Sequence, residues 1–488
     1  MEAPNHEFID QMHAETISRL LLEPSPDAMQ AYYSKLTKAH NYSDVEVRYI
    51  NSRIGKGVFA SKSYESNELI LKEHMLVGAQ HTQNKTDALV CSFCFCFIGS
   101  IELQIGRKLL FLSDKNSQSS DGHVEDSTEI ESMTHITDLN SCAGNLKTPR
   151  NIDKEKGSNE DLSSNAAESL INGNIQLPFS SLFSLPAVVF CIGGCEDEFF
   201  CSEKCAKAAW ESYHSLLCSG PKSLCKDKDF LCKFIHHANE TNDIFLVAAK
   251  VISSTILKAS SLEQLKHKND PKKCYTSEDC INCLLEAWEP FSMGFKRLWW
   301  DSIALPIDLG ADDEIGFRNE IKELASHSLK LLKGAIFEEK YAPLFSLQVY
   351  GHVIGMFELN NLDLVVASPV EDYFIYIDEL DGKEKVEAEK FTRPLLDALG
   401  DDYNVPCEGT AFFPVQSCAN HSCVPNMKAF KRDEDKDGQA VLLATRPIQF
   451  GEELTISYID EDASWEERKA LLKDYGFICM CPKCIKES

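Results

Sequence analysis

The chain has 488 residues, is 43% hydrophobic and carries a formal net charge of −27, which suits two or three packed modules better than one small core. The charge argues against direct wrapping on DNA, because phosphate binding needs a basic face, and favours basic peptides such as lysine-rich tails, unless the acidity serves solubility alone. The first 30 residues hold Glu2, Glu7, Asp10 and Glu15 without a basic start, and nowhere do 18 apolar residues run together, so neither a signal peptide nor a membrane span is expected. Without a secretory signal, the 20 cysteines read as reduced thiols and metal ligands in cytosol or nucleus rather than as disulfides.

In residues 1–42, Phe8, Met12, Ile17, Leu20 and Leu21 fall at helical spacing and Pro24-Ser25-Pro26 interrupts them, which predicts two short helices. From Val45 to Leu71, within a unit drawn at 43–80, β-branched and aromatic residues flank Gly55-Lys56-Gly57 and predict two strands joined by a glycine turn. Cys91 opens a cysteine-bearing unit over 91–218. Inside it, about 113–176 is dominated by Ser, Asn, Asp, Glu and Gly and is expected to be a disordered insertion. Residues 219–345 are rich in helix formers and predict a helical insertion. Strand-like text returns over Gln348–Val366 and persists to Tyr458, within a unit at 346–460. In the last unit, 464–488, Ser464 and Glu467 form a capping box whose helix should stop at Tyr475-Gly476.

Metal-ligand spacing occurs in three places. Cys91-x2-Cys94, Cys191-x3-Cys195, Cys201-x3-Cys205 and His214-x3-Cys218 supply eight soft ligands, enough for two closed tetrahedral zinc sites. Ser202 would cap a helix carrying Cys205, His214 and Cys218. Cys479-x-Cys481-x2-Cys484 offers three thiolates and needs a fourth, for which Cys423 is the candidate. Cys280-x2-Cys283 reads as core thiols on a helix, so no fourth zinc is expected.

The first pattern resembles the MYND zinc finger. That resemblance implies one zinc on Cys91, Cys94, Cys201 and Cys205 and another on Cys191, Cys195, His214 and Cys218. The 96 residues between Cys94 and Cys191 depart from the usual finger and leave Cys96 as a competing ligand, although loop closure grows only logarithmically with length.

Asn420-His421-Ser422-Cys423-x-Pro425-Asn426, Gly451-Glu452-Glu453-Leu454-Thr455-Ile456-Ser457-Tyr458 and the terminal cysteine triplet resemble the hallmark of SET-domain lysine methyltransferases. With the finger between the Gly-x-Gly segment and the rest, the chain is similar to the SMYD family, and most to the plant trithorax-related SET proteins. The resemblance implies an α+β fold: a β-rich SET domain split by a MYND finger and a helical insertion, and closed by a zinc-bound post-SET segment. It implies S-adenosylmethionine bound by Gly55, Lys56, Gly57, Asn420, His421, Tyr458 and Phe477, three structural zincs, and Tyr458 and Tyr475 at the methyl-transfer point. Related enzymes also set an asparagine in a strand near cofactor and substrate, where Asn360-Asn361 fall here. The leading expectation is a histone-lysine N-methyltransferase acting on chromatin in the nucleus. Methylation of another protein's lysine, or a MYND adaptor that binds proline-rich peptides and retains an inactive SET domain, stands as the alternative.

Overall fold

The computed structural model describes residues 6–118, 160–269, 276–306, 309–310 and 313–487. The fold is α+β, with small sheets at the centre and helices around them. Val45–Asn51 and Gly55–Ala60 form the expected antiparallel hairpin, but its turn is residues 52–54, and Gly55-Lys56-Gly57 opens the returning strand rather than making the turn, with Gly55 at φ +81°. Val45, Val47, Val58 and Ala60 are its buried face. Glu453–Ile456 pairs antiparallel with Gly55–Ala60 on one side and parallel with Asn420–His421 on the other. This four-stranded sheet brings the Gly-x-Gly strand and the Asn-His strand onto the same central strand although more than 360 residues separate them.

Two three-stranded antiparallel sheets complete the β core: Met427–Ala429, Ala440–Ala444 and Leu69–Glu73 in one, Val77–Gln80, Cys407–Phe412 and Leu362–Val366 in the other. Leu71, Leu442, Leu454 and Ile456 pack with the hairpin. Burial of this kind is worth about 25 cal/mol per Å² of apolar surface, which makes these residues the frame on which the site is built.

The region 219–345 is helical as expected, and Ile244–Asn269 runs through its middle. That helix is long and apolar enough by composition to cross a membrane, but Phe245, Val247, Ala248, Val251, Ile252 and Ile256 are buried against Trp299, Leu332 and Tyr350. It is the central core helix of the block.

Four expectations need correction. The N-terminal segment forms three helices, His6–Met12, Ala14–Leu21 and Pro26–Ala39, because the break at Pro24-Ser25-Pro26 is joined by a second one at His13. The disordered stretch is drawn too widely: Ile101–Gln118 and Glu160–Ile171 are helices, and buried Leu109, Ala167 and Leu170 pack with Tyr373 and Phe374. Of the rest, 119–159 lies outside the described residues. Gln348–Val366 is mostly not strand: Leu347–Asn360 is a helix capped by Ser346, whose Oγ accepts from the Gln348 and Val349 amides, and only Leu362–Val366 is extended. Nor does strand persist to Tyr458, since the helices Pro369–Glu379 and Gly382–Leu399 intervene. Asn360 therefore ends a helix and Asn361 follows it, and neither sits in a strand.

Candidate active site and metal centres

The cysteine clusters assemble as paired. Cys91, Cys94, Cys201 and Cys205 form one group, Cys191, Cys195, His214 and Cys218 a second, and Cys423, Cys479, Cys481 and Cys484 a third, each with its ligand atoms within 4.8 Å of one another. Tetrahedral zinc with bonds of about 2.3 Å to sulfur sets S···S edges of about 3.8 Å. The observed separations match this: Cys94 to Cys201 is 3.6 Å, Cys191 to Cys218 is 3.8 Å, and Cys423 lies 3.5 Å from Cys484 and 3.9 Å from Cys479. His214 Nε2 completes the second group at 3.2 Å from Cys191 Sγ and 3.4 Å from Cys195 Sγ. The donor sets fit zinc. Cys96 lies 3.5 Å from Cys94 Sγ but is not among the four mutually close thiols.

Local structure explains the second and third groups. Ser202 Oγ accepts from the Cys205 amide at 3.2 Å and starts the Glu203–Ala209 helix. A π-helical turn, Trp210–His214, follows and carries His214 inward, and the helix ends at Leu217, just before Cys218. At the C-terminus the capping box forms as predicted, with the Glu467 amide donating to Ser464 Oγ at 3.3 Å and the Ser464 amide donating to Glu467 at 2.9 Å. The helix Trp465–Asp474 stops at Tyr475, and Gly476 takes φ +79°. The chain then turns back so that Phe477 and the three cysteines face the Asn-His strand.

Around that strand four rings converge. Tyr458 lies 5.1 Å from Tyr475 and 5.4 Å from His421 between centroids, and Phe477 is 5.9 Å from His421 and 6.4 Å from Tyr458. Burial, with Tyr475, Cys418 and Glu453 nearby, holds the Tyr458 hydroxyl well above its ordinary pKa. It stays protonated and donates to the Ala419 carbonyl at 2.6 Å. Burial, then the Arg468 cation, pushes His421 down to about 4, so the imidazole is neutral and its Nδ1 accepts from the Tyr458 amide at 3.0 Å. Its other nitrogen is 3.2 Å from Cys423 Sγ.

Asn420 donates through Nδ2 to the Lys56 carbonyl at 3.0 Å and to Glu453 Oε1 at 2.7 Å. The two glycines differ in their reasons. Gly55 needs its left-handed backbone, whereas Gly57 needs space: a Cβ there would lie 2.8 Å from Glu453 Oε1 and 3.0 Å from Asn420 Nδ2. The Lys56 amine is taken up by the protein, donating to Tyr33 Oη at 3.1 Å and to the Met293 carbonyl. Asn360 and Asn361 do not join this group. Asn360 is buried and binds the Phe295 backbone instead.

Three residues with no role assigned above prove central. Glu453 links the strand of Gly57 to Asn420. Asn426 accepts from the Thr455 amide at 2.8 Å and donates to the Glu453 carbonyl at 2.8 Å, tying the Asn-His segment to the Glu-Glu strand. Both lie inside the quoted motifs, so their positions were in view. Arg468 is only 1% exposed, 3.8 Å from Cys484 Sγ, and pairs with Glu487 and the Ala463 carbonyl. No spacing rule marks an arginine for burial.

A model of the SET domain matches residues 55–459, which span both halves of this site. The chain is 52% identical over 479 residues to the Arabidopsis thaliana protein "Histone-lysine N-methyltransferase ATXR2", covering 98% of each. The chain belongs to the SET-domain family. The chain is also similar to the mouse "Protein-lysine N-trimethyltransferase SMYD5", 24% identical over 460 residues, with 91% of this chain and 87% of the mouse protein covered. A "SET and MYND domain-containing protein" of Dictyostelium discoideum is 40% identical over 87 residues, a span that covers 17% of this chain and 21% of that protein. A SET chain of plant type with a MYND-like unit is what the motifs led us to expect.

Proposed function

We propose that this chain is a histone-lysine N-methyltransferase that uses S-adenosylmethionine and acts on chromatin in the nucleus. The observation that carries the reading is the meeting of Asn420-His421 with Tyr458, Tyr475 and Phe477 beside a thiolate cluster that joins Cys423 to Cys479, Cys481 and Cys484. Near full-length kinship to a protein named as a histone-lysine methyltransferase supports the substrate, and the net charge of −27 suits a basic tail.

The bound cofactor supplies an electrophilic methyl on a sulfonium. A neutral lysine amine forms the C–N bond as the S–C bond breaks, the bonding pair stays on sulfur, and a proton leaves to solvent. The protein must orient the amine and keep it unprotonated, which at pH 7 costs about 4.6 kcal/mol for a lysine of pKa near 10.4. An aromatic channel of Tyr458 and Tyr475 removes water from the amine and so lowers that cost. Backbone of Gly55, Lys56 and Gly57 would line the methionyl end. Asn420, whose amide donors are spent on Lys56 and Glu453, would present Oδ1 as an acceptor, and Phe477 would pack on the adenine. Cys423, Cys479, Cys481 and Cys484 would hold a zinc ion that keeps Phe477 and Tyr475 in place.

Gly57→Ala should weaken S-adenosylmethionine binding about tenfold or more, because overpacking at a filled position costs roughly 1–3 kcal/mol. Isothermal titration against the unsubstituted chain checks this, and unchanged affinity would remove Gly57 from the site. For the function itself, labelled-methyl transfer to histones and to an array of lysine peptides is the test, with His421→Ala as the control. Label on histones supports the reading, label only on other proteins moves the substrate class, and cofactor binding without any labelled protein overturns it.

A further inference from the structure

The segment Met293–Arg297 leaves the Ser277–Ser292 helix and crosses to the aromatic cluster. Its backbone is bolted down at several points. Asn360 Oδ1 accepts from the Phe295 amide at 3.0 Å, and Asn360 Nδ2 donates to the Phe295 carbonyl at 2.7 Å. Lys296 Nζ donates to the carbonyls of Ser292 and Gly294 at 2.5 and 3.0 Å, and Lys56 Nζ to that of Met293. The segment lies so close to the Leu347–Asn360 helix that a Cβ on Gly355 would fall 2.1 Å from the Arg297 carbonyl oxygen.

This backbone carries the Arg297 side chain, which is exposed, toward the Tyr475-Gly476 turn. Its guanidinium fills the space beside Gly476, where a Cβ would meet Nη2 at 2.6 Å and Nη1 at 2.7 Å, and its Cζ is 5.4 Å from the Phe295 ring. Gly476 follows Tyr475 directly and turns through the left-handed region at φ +79°. Tyr475 thus has the Tyr458 ring at 5.1 Å between centroids, and the residue that follows it, Gly476, has the Arg297 guanidinium against it.

We infer that Arg297 is a positioning residue: by limiting how far the Tyr475-Gly476 turn swings outward, it sets how many methyl groups the acceptor lysine can already carry. The inference rests on the methyltransferase reading above. The attacking nitrogen needs its lone pair free, so its other substituents, hydrogens or methyls, must fit against Tyr458 and Tyr475. A pocket tells one methyl from none by roughly tenfold or more. With the guanidinium gone, the turn relaxes into the vacated space, Tyr475 withdraws and a bulkier amine fits.

The test compares kcat/KM on peptides bearing unmodified, monomethyl and dimethyl lysine for the unsubstituted chain, Arg297→Ala and Arg297→Lys, with zinc content measured alongside. Arg297→Ala should raise the dimethyl-to-unmodified ratio by about tenfold, and Arg297→Lys, which keeps a cation and an apolar stem, should raise it less. Because both substrates meet the same enzyme, the ratio cancels any general loss of folded protein. Should Arg297→Ala not accumulate, Arg297→Met keeps the packing of the stem and reads the same ratio. An unaltered ratio in a variant that keeps its zinc overturns the inference, whatever the absolute rates. Absence of transfer by the unsubstituted chain to any peptide instead overturns the methyltransferase reading itself.

Discussion

A chain ending at Ile478 should transfer no methyl group yet still hold two zinc ions per molecule. The truncation removes Cys479, Cys481 and Cys484 and leaves Cys423 as the one thiolate of the third cluster, and one thiolate cannot hold structural zinc, whose binding energy in small zinc-folded units reaches about 10–16 kcal/mol. It also strips Arg468 of Glu487 and of the Cys484 sulfur, so a cation that is 1% exposed loses partners that hold it. Phe477 and Tyr475 remain in the chain but lose the anchor that folds them over His421 and Tyr458. The finger's clusters draw no ligand from beyond Cys218. Zinc stoichiometry by mass spectrometry should fall from three to two while transfer falls below detection. Transfer near the full-length rate would show that the terminal cluster is not what closes the site.

Tyr458→Phe is the smallest change with a comparable effect. The hydroxyl is fixed directly by the backbone, through the 2.6 Å bond to the Ala419 carbonyl. Removing it leaves that carbonyl without its donor, which costs stability about 1 kcal/mol. It also takes away the oxygen that the proposed mechanism sets at the transfer point, and loss of one such preorganised group costs roughly 100- to 1,000-fold in rate. Single-turnover transfer should therefore collapse while the melting temperature shifts by only a few degrees. A rate within threefold of the unsubstituted chain would place the transferring methyl elsewhere.

Much of this site was legible because its chemistry is written in short spacings. Cysteine pairs declare their ligand geometry within four residues, and the capping box at Ser464 and Glu467 is a local hydrogen-bond exchange that needs no tertiary context. What was misread depends on packing. Leu347–Asn360 is buried on nearly every side, so its apolar residues show no helical stripe and its Val, Ile, Tyr and Phe imitate a strand; Asn360 was misplaced with it. The polar text after Ser113 hid Ala167 and Leu170, two small contacts that suffice to dock a helix. Arg297 and Gly476 are 179 positions apart, and nothing local in either announces their contact.

Cys484 follows Cys423 by 61 positions, and that separation has a bearing on the order of assembly. Domains fold progressively as the polypeptide emerges from the ribosome, N-terminal parts first, at about 5–20 residues per second. The finger and the β hairpin can therefore be assembled before Cys479, Cys481 and Cys484 have been made, whereas the third cluster must wait for them. The segment carrying Tyr475 and Phe477 is thus among the last parts of the fold to be fixed in place.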